Sequence, residues 1–296
     1  MIICKSAYGH LALLYLLGNL QTTYGGEMKY IINMILIYWI LIGYPWQATA
    51  QELKQQPIEY GHYTILHSDI LNEDRRLLVM LPDNYSQTNT RYPVLYKLDG
   101  HPDIFYQTCG VVWYLSGLAE AIPPHIVIGI ENTDRFRDMK WDLPNPFLEF
   151  IEKELIPFVS QTYRTHDFRI LSGQSYSGNY TTFVFLNKPT LFDAYIINSF
   201  GFSESNMKEV ESYLKTVTEA HLSPTYVWCC NGGQDTYDPK SERTQRAEAL
   251  IQKLTILNIP NLIMQYKFYP EEGHVPYPGQ YEGLKWIYAK QNKGGK

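Results

Sequence analysis

The segment "ILSGQSYSGNY", residues 170–180, sets Ser175 among small residues between two apolar runs. A serine hydroxyl becomes an acyl-transfer nucleophile only when a base takes its proton and an acid orients that base. A sharp strand-to-helix turn of the form G-x-S-x-G exposes such a serine, because small neighbours let a strained backbone pass close to adjacent strands. Gly173 fills the first glycine position here, Ser177 stands at the second, and Gly178 follows one step later. Ser175 is the expected nucleophile. Two other readings stay open at this point, Ser177 as the turn hydroxyl and Ser175 as a simple helix N-cap.

The expected base is His274, in "FYPEEGHVPYPGQYEGLKW", which lies after the last strand candidate and before the last helix candidate. His62, His67, His125, His166 and His221 fall within or just before strands and read as structural or solvated. His101 ends a strand but precedes the nucleophile, so it fits the base role poorly. The expected acid comes from "TYVWCCNGGQDTYD", where a strand and a Gly-Gly turn lead to Asp235 and Asp238. Asp235 is preferred as the first carboxylate past the turn, and Asp238, next to Pro239, reads as a helix cap. Ser, acid and His then follow in that chain order. An oxyanion needs two backbone N–H groups. Tyr176, directly after the nucleophile, should supply one, and Gly100 or His101, after the strand "PVLYKL", the other.

These residues need a sheet to carry them. "HYTILHS" and "RRLLVMLP" read as strands joined by "DILNED" into a hairpin. From residue 93 short apolar runs ("PVLYKL", "HIVIGI", "FRILS", "AYIIN", "TYVWCC", "MQYKFY") alternate with helical stretches, the pattern of a mainly parallel sheet with crossover helices. In "FLEFIEKELIPFV", Phe147, Phe150, Ile151, Leu155 and Phe158 recur at helical spacing, so one helix should cover a sheet face. No linker or repeat interrupts residues 58–290, and residues 51–296 read as a single domain.

The motifs "RYPVLYKLDG", "VVWYLS", "IPPHIVIGIENTDRFRDM", "FRILSGQSYSGNYTTF" and "YPEEGHVPYPGQYEGLKWIY", in this order over about residues 58 to 290, resemble the Putative esterase family of α/β-hydrolases. That family takes in enterobactin-type siderophore esterases, feruloyl esterases and S-formylglutathione hydrolase. The resemblance implies an α/β-hydrolase fold, with a mainly parallel central sheet, helices on both faces and an N-terminal antiparallel hairpin. It also implies a serine esterase working through an acyl-enzyme on a small-molecule ester, with siderophore-type or aromatic esters in range. "IENTDRFRDM" is most similar to the siderophore-esterase group, where Arg135 or Arg137 would lie near the substrate. The other reading of that loop is a solvated one whose arginines pair with Asp134 and Asp138. Ser177 for glycine, and a short His274 loop, depart from the family pattern and bear on the substrate. Acyl transfer to another alcohol with the same triad, or an inactive hydrolase fold that only binds, are the alternative functions.

The 296 residues are 45% hydrophobic and 19% charged with a formal net charge of −5, ordinary for a globular protein. The basic residues form no run, so no nucleic-acid partner is expected. No zinc-type spacing and no nucleotide-binding glycine motif is seen, so neither metal nor cofactor is expected. Cys4, Cys109, Cys229 and Cys230 make no disulfide framework, and the adjacent pair reads as core. Residues 1–50 read as an N-terminal extension and signal peptide: Lys29, the apolar "YIINMILIYWILIGYPW" and then "ATA", with cleavage after Ala50. Met28 or Met34 are alternative starts, and a retained anchor is the competing reading. The mature protein is expected in the periplasm or the medium, without stable membrane insertion.

Overall fold

The computed structural model describes residues 26–43 and 60–294. The chain divides into two compact units, Met1–Pro57 and Ile58–Lys296. In the first, the apolar stretch forms helix α1, Gly26–Gly43. No helix among the described residues is long and apolar enough to cross a membrane. The cleavage site expected after Ala50 lies outside the described residues.

The second unit is built on eight strands: β1 His62–Ser68, β2 Glu73–Met80, β3 Tyr92–Lys97, β4 Ile126–Ile130, β5 Thr165–Gln174, β6 Ala194–Asn198, β7 Thr225–Gly232 and β8 Leu262–Tyr269. They form one sheet in the order β1-β2-β4-β3-β5-β6-β7-β8. β1 and β2 make the expected antiparallel hairpin, with Ser68 opposite Glu73. β2 also runs antiparallel to β4, and every later pairing is parallel. All six residues of β3 and all eight of β7 are buried, because helices cover both faces of the parallel part.

Side chains alternate across the strands, so the sheet has two cores. On one face Leu77, Val79 and Tyr96 pack with Phe147 and Phe150 of α4 (Pro146–Phe150), Val159 of α5 (Ile156–Thr162), Phe183 of α6 (Tyr176–Asn187), Val210 of α7 (Glu204–Glu219) and Leu250 of α8 (Glu242–Leu257). On the other face Leu78, Leu95 and Ile170 pack with Phe105 of α2 (Pro102–Trp113) and Ile287 of α9 (Pro278–Gly294). The short helix α3, Arg135–Asp138, follows β4.

The amphipathic stretch that leads into β5 is helical as its spacing implies, but α4 and α5 are joined by a π-type turn, Ile151–Leu155. Pro157 has no N–H for the ladder, and the widened turn accommodates it. Phe147, Phe150, Ile151 and Leu155 are buried, whereas Phe158, beyond the turn, is half-buried. Cys109, Cys229 and Cys230 are free and buried. Burial pushes the Cys109 and Cys230 thiols up to about 12, far from the thiolate state that would make them reactive.

Candidate active site

β5 ends at Gln174 and α6 begins at Tyr176, leaving Ser175 alone in the turn at φ 57° and ψ −122°. A non-glycine residue there is strained by about 1–3 kcal/mol and persists only when its surroundings hold it. They do so by hydrogen bonds. The Ser175 N–H donates to the Asn198 carbonyl and the Asn179 N–H to the Ser175 carbonyl, both at 3.0 Å.

The fully buried Ser177 hydroxyl accepts from the Gln174 N–H at 2.9 Å and donates to the Gln174 carbonyl at 2.8 Å. It closes the turn on itself. Close approach falls one residue later, at Gly178, where a Cβ would stand 2.6 Å from the Asn198 carbonyl oxygen. The displaced glycine of the motif thus has a steric cause.

His274 reaches the turn from the loop after β8. Its Nε2 lies 2.7 Å from Ser175 Oγ and its Nδ1 2.8 Å from Asp235 Oδ2. Asp235 sits in the loop after β7, and its Oδ1 accepts from the Tyr237 N–H at 2.8 Å. The loops that carry Asp235 and His274 touch backbone to backbone: a Cβ on Gly232 would stand 1.9 Å from the Gly273 carbonyl oxygen. That contact explains why a Gly-Gly turn precedes the acid. Asp238 accepts from the N–H groups of Arg243 and Thr244 and from Thr244 Oγ1, and so caps α8.

The expected oxyanion donors fare unequally. Tyr176 opens α6, so its N–H has no carbonyl one turn back within the helix. The Gly100 N–H donates to the Ile130 carbonyl at 2.9 Å, because the β3 ladder continues past the strand end, and this removes it as a donor. The His101 N–H bends back to the Asp99 carbonyl at 2.8 Å across a tight turn. Of the two amides, that of Gly100 is thus committed to the ladder and that of His101 holds a short-range, bent bond.

Arg135 donates through Nε and Nη2 to the Asp99 carboxylate at 2.7 and 2.6 Å, and its guanidinium lies 5.3 Å from the centre of the Tyr176 ring. Burial opposes ionisation of Asp99, but the hydrogen bonds from Arg135 and Asn132 outweigh it and hold the carboxyl below its ordinary range. Arg137, the other arginine expected near substrate, is not on the cavity. It is bound to Glu73 and Asp138. Asp134 does not pair with either guanidinium but accepts the Arg137 N–H as the cap of α3.

A cavity of about 340 Å³ opens over Ser175, walled by Arg135, Tyr176, Asn179, Asp235, Arg243 and His274, among others. His274 is the histidine that lines it. His125 is buried against Tyr288 and the Pro123 carbonyl, and burial lowers it to about 4. Sequence reasoning missed Ser199, whose Oγ is 3.3 Å from His274 Nδ1, and Tyr237, whose ring centre is 4.6 Å from that of His274. Nothing in their local sequence marks them, since the fold alone brings them to the imidazole. Among the described residues no cluster of three or more His, Cys, Asp or Glu could hold a metal ion.

A sheet of this order, carrying a serine on a strand-turn-helix elbow at its carboxyl edge, defines an α/β-hydrolase. Residues 68–279 match the family described as Putative esterase. The chain belongs to that family and is a carboxylic ester hydrolase. Among solved structures it is similar to an IroE-like serine hydrolase from Shewanella oneidensis, with 28% identity, 77% of this chain and 80% of that one covered and a TM-score of 0.69. Its fold is shared by the siderophore hydrolase EstA of Aspergillus nidulans at 17% identity, with 80% and 98% of the chains covered and a TM-score of 0.65. It is shared too by the enterobactin esterase FES of Shigella flexneri at 17% identity, with 80% and 61% covered and a TM-score of 0.59. No curated protein matches the sequence.

Proposed function

We propose that the enzyme hydrolyses carboxylic esters through Ser175, His274 and Asp235. His274 Nε2 takes the hydroxyl proton as Ser175 Oγ attacks the ester carbonyl, and returns it to the departing alcohol. The same imidazole then activates the water that releases the acid. Asp235 holds Nδ1 and stabilises the imidazolium. The Tyr176 N–H stabilises the oxyanion, with the His101 N–H as second donor once it exchanges its bent bond to Asp99 for the developing charge. The observation that carries this reading is the continuous relay of 2.7 and 2.8 Å contacts from Ser175 to Asp235.

Siderophore-type and aromatic esters are the first substrates to survey, since the similar structures include hydrolases so named. A panel of p-nitrophenyl, feruloyl and trilactone esters tests the reading. Wild type should cleave at least one of them, and His274→Ala should abolish that activity. Retention of activity by His274→Ala would overturn the assignment. We also propose that residues 1–50 are an export leader and residues 51–296 the single mature domain, which works in the periplasm or the medium. N-terminal sequencing of material from an exporting host should begin at Gln51, and a membrane-bound product that keeps α1 would contradict this.

A further inference from the structure

The polar groups around the catalytic cavity are unequally engaged. Of its carboxylates, Asp235 accepts from the Tyr237 N–H and faces His274, and Asp238 accepts three bonds from Arg243 and Thr244. Asn179 is closed on the Gly201 backbone through both ends of its amide. Asn231 donates to the Phe200 carbonyl, and its Oδ1 is shut off from solvent.

What remains unengaged is largely guanidinium. The Arg243 backbone is pinned, its N–H to Asp238 and its carbonyl to the Phe202 N–H. Its exposed side chain lines the cavity and makes no hydrogen bond or ion pair, although its charge is felt by Asp238. Arg135, bound to Asp99 through Nε and Nη2, keeps Nη1 free. A guanidinium offers only donors, in a fork that matches a carboxylate. Arg243 also borders an outer cavity of about 330 Å³, which shares Tyr176, Asn179 and Gly201 with the first. Asp142 and Glu209, whose carboxylates make no hydrogen bond, border that outer cavity and not the inner one, so on the Ser175 side the Arg243 guanidinium meets only carboxylates that are already engaged.

We infer that Arg243 sets the specificity of this cavity and selects an ester that carries a carboxylate or similar compact anion. The inference rests on the ester-hydrolase reading above and names the substrate class of that same site. The anion could belong to either half of the ester, and the two halves can be tested separately. Monoethyl glutarate carries it on the acyl part and 4-acetoxybutanoate on the alcohol part. Ethyl pentanoate and butyl acetate are their neutral comparators.

The readout is the ratio of kcat/KM for the charged ester to that of its neutral comparator, at low ionic strength where an exposed charge is least screened. In wild type one of the two pairs should show a ratio above one. That ratio should fall about tenfold in Arg243→Gln and further in Arg243→Glu, as expected for loss and reversal of a charge-assisted bond. Added salt should lower the wild-type ratio. Ratios that stay the same in both variants, or a wild type that favours the neutral ester in both pairs, overturn the inference and leave the esterase reading intact. If wild type cleaves none of the four esters nor any of the earlier panel, the esterase reading fails and this inference falls with it.

Discussion

Arg135 and Arg137 leave the same short helix and end in opposite settings. Arg137 enters a cluster with Glu73, Asp138 and the fully buried Arg75, where all four carboxylate oxygens accept from a guanidinium. The aromatic rings of Phe147 and Phe150 lie 5.1 and 5.8 Å from the Arg75 guanidinium. Arg135 also has a carboxylate, Asp99, but its side chain stays 32% exposed and faces the cavity over Ser175. A cluster whose carboxylate oxygens are all taken and which lies buried is closed to a ligand, even though Arg75 Nε has no partner. One whose leftover donors face a cavity is open to a ligand. The carboxyl edge of the sheet is open in this sense, and the β2 end of the same loop is closed.

The largest difference between the two regions should come from Ser175→Ala. It should lower kcat/KM by a factor on the order of 10³ or more with no loss of thermal stability, since alanine can take the same turn. Ser177→Ala should do the reverse, loosening the turn while keeping most of the activity. Asp138→Ala should cost about 3–5 kcal/mol of stability, because it takes one of the two carboxylates from buried Arg75 and leaves it Glu73 and the Glu131 carbonyl, and kcat of the folded fraction should be preserved. Urea unfolding alongside active-site titration separates these effects. An Asp138→Ala enzyme as stable as wild type would show that the closed cluster contributes no stability.

A smaller contrast lies between the two aspartates after β7. Asp235→Asn should cut activity by something on the order of 10² to 10⁴ while leaving stability nearly unchanged. Asp238→Asn should instead cost about 1 kcal/mol as a weakened cap of α8. If Asp238→Asn is the more damaging to catalysis, the acid has been misassigned.

The smallest effect should be one of pH. The hydrogen bond from Arg137 lowers Glu73 from 4.5 to about 2, against the opposing effect of burial. A carboxyl depressed in the folded state contributes stability that is complete above its unfolded pKa and is lost as pH falls through the folded one. Melting temperature should therefore decline from about 4.5 down towards 2 in wild type, and the decline should be shallower in Glu73→Gln. Equal slopes would remove Glu73 from the acid response.

The contrast between the two arginines is also where sequence reading stopped. In "IENTDRFRDM" both look alike, and it is Asp138 within the motif together with the distant Asp99 and Glu73 that decides which one stays open. The strands were legible because burial on both faces writes continuous apolar runs such as "AYIIN" and "TYVWCC". The meeting of Ser175, Asp235 and His274 could be anticipated because each follows a strand at a turn with small residues. The role of Ser177 could not, since a hydroxyl that closes its own turn and one that attacks substrate have the same local sequence. Gly100 and His101 could not be told apart, because a strand that continues its ladder past its apolar run leaves no mark in composition.

The most direct test of the catalytic reading is to label the folded enzyme with a fluorophosphonate and locate the adduct by peptide mass spectrometry. One phosphonyl group on Ser175 is expected, absent in Ser175→Ala, retained in Ser177→Ala and slowed by Asp235→Asn. An adduct on Ser177, or no adduct in an enzyme that still cleaves esters, would contradict it.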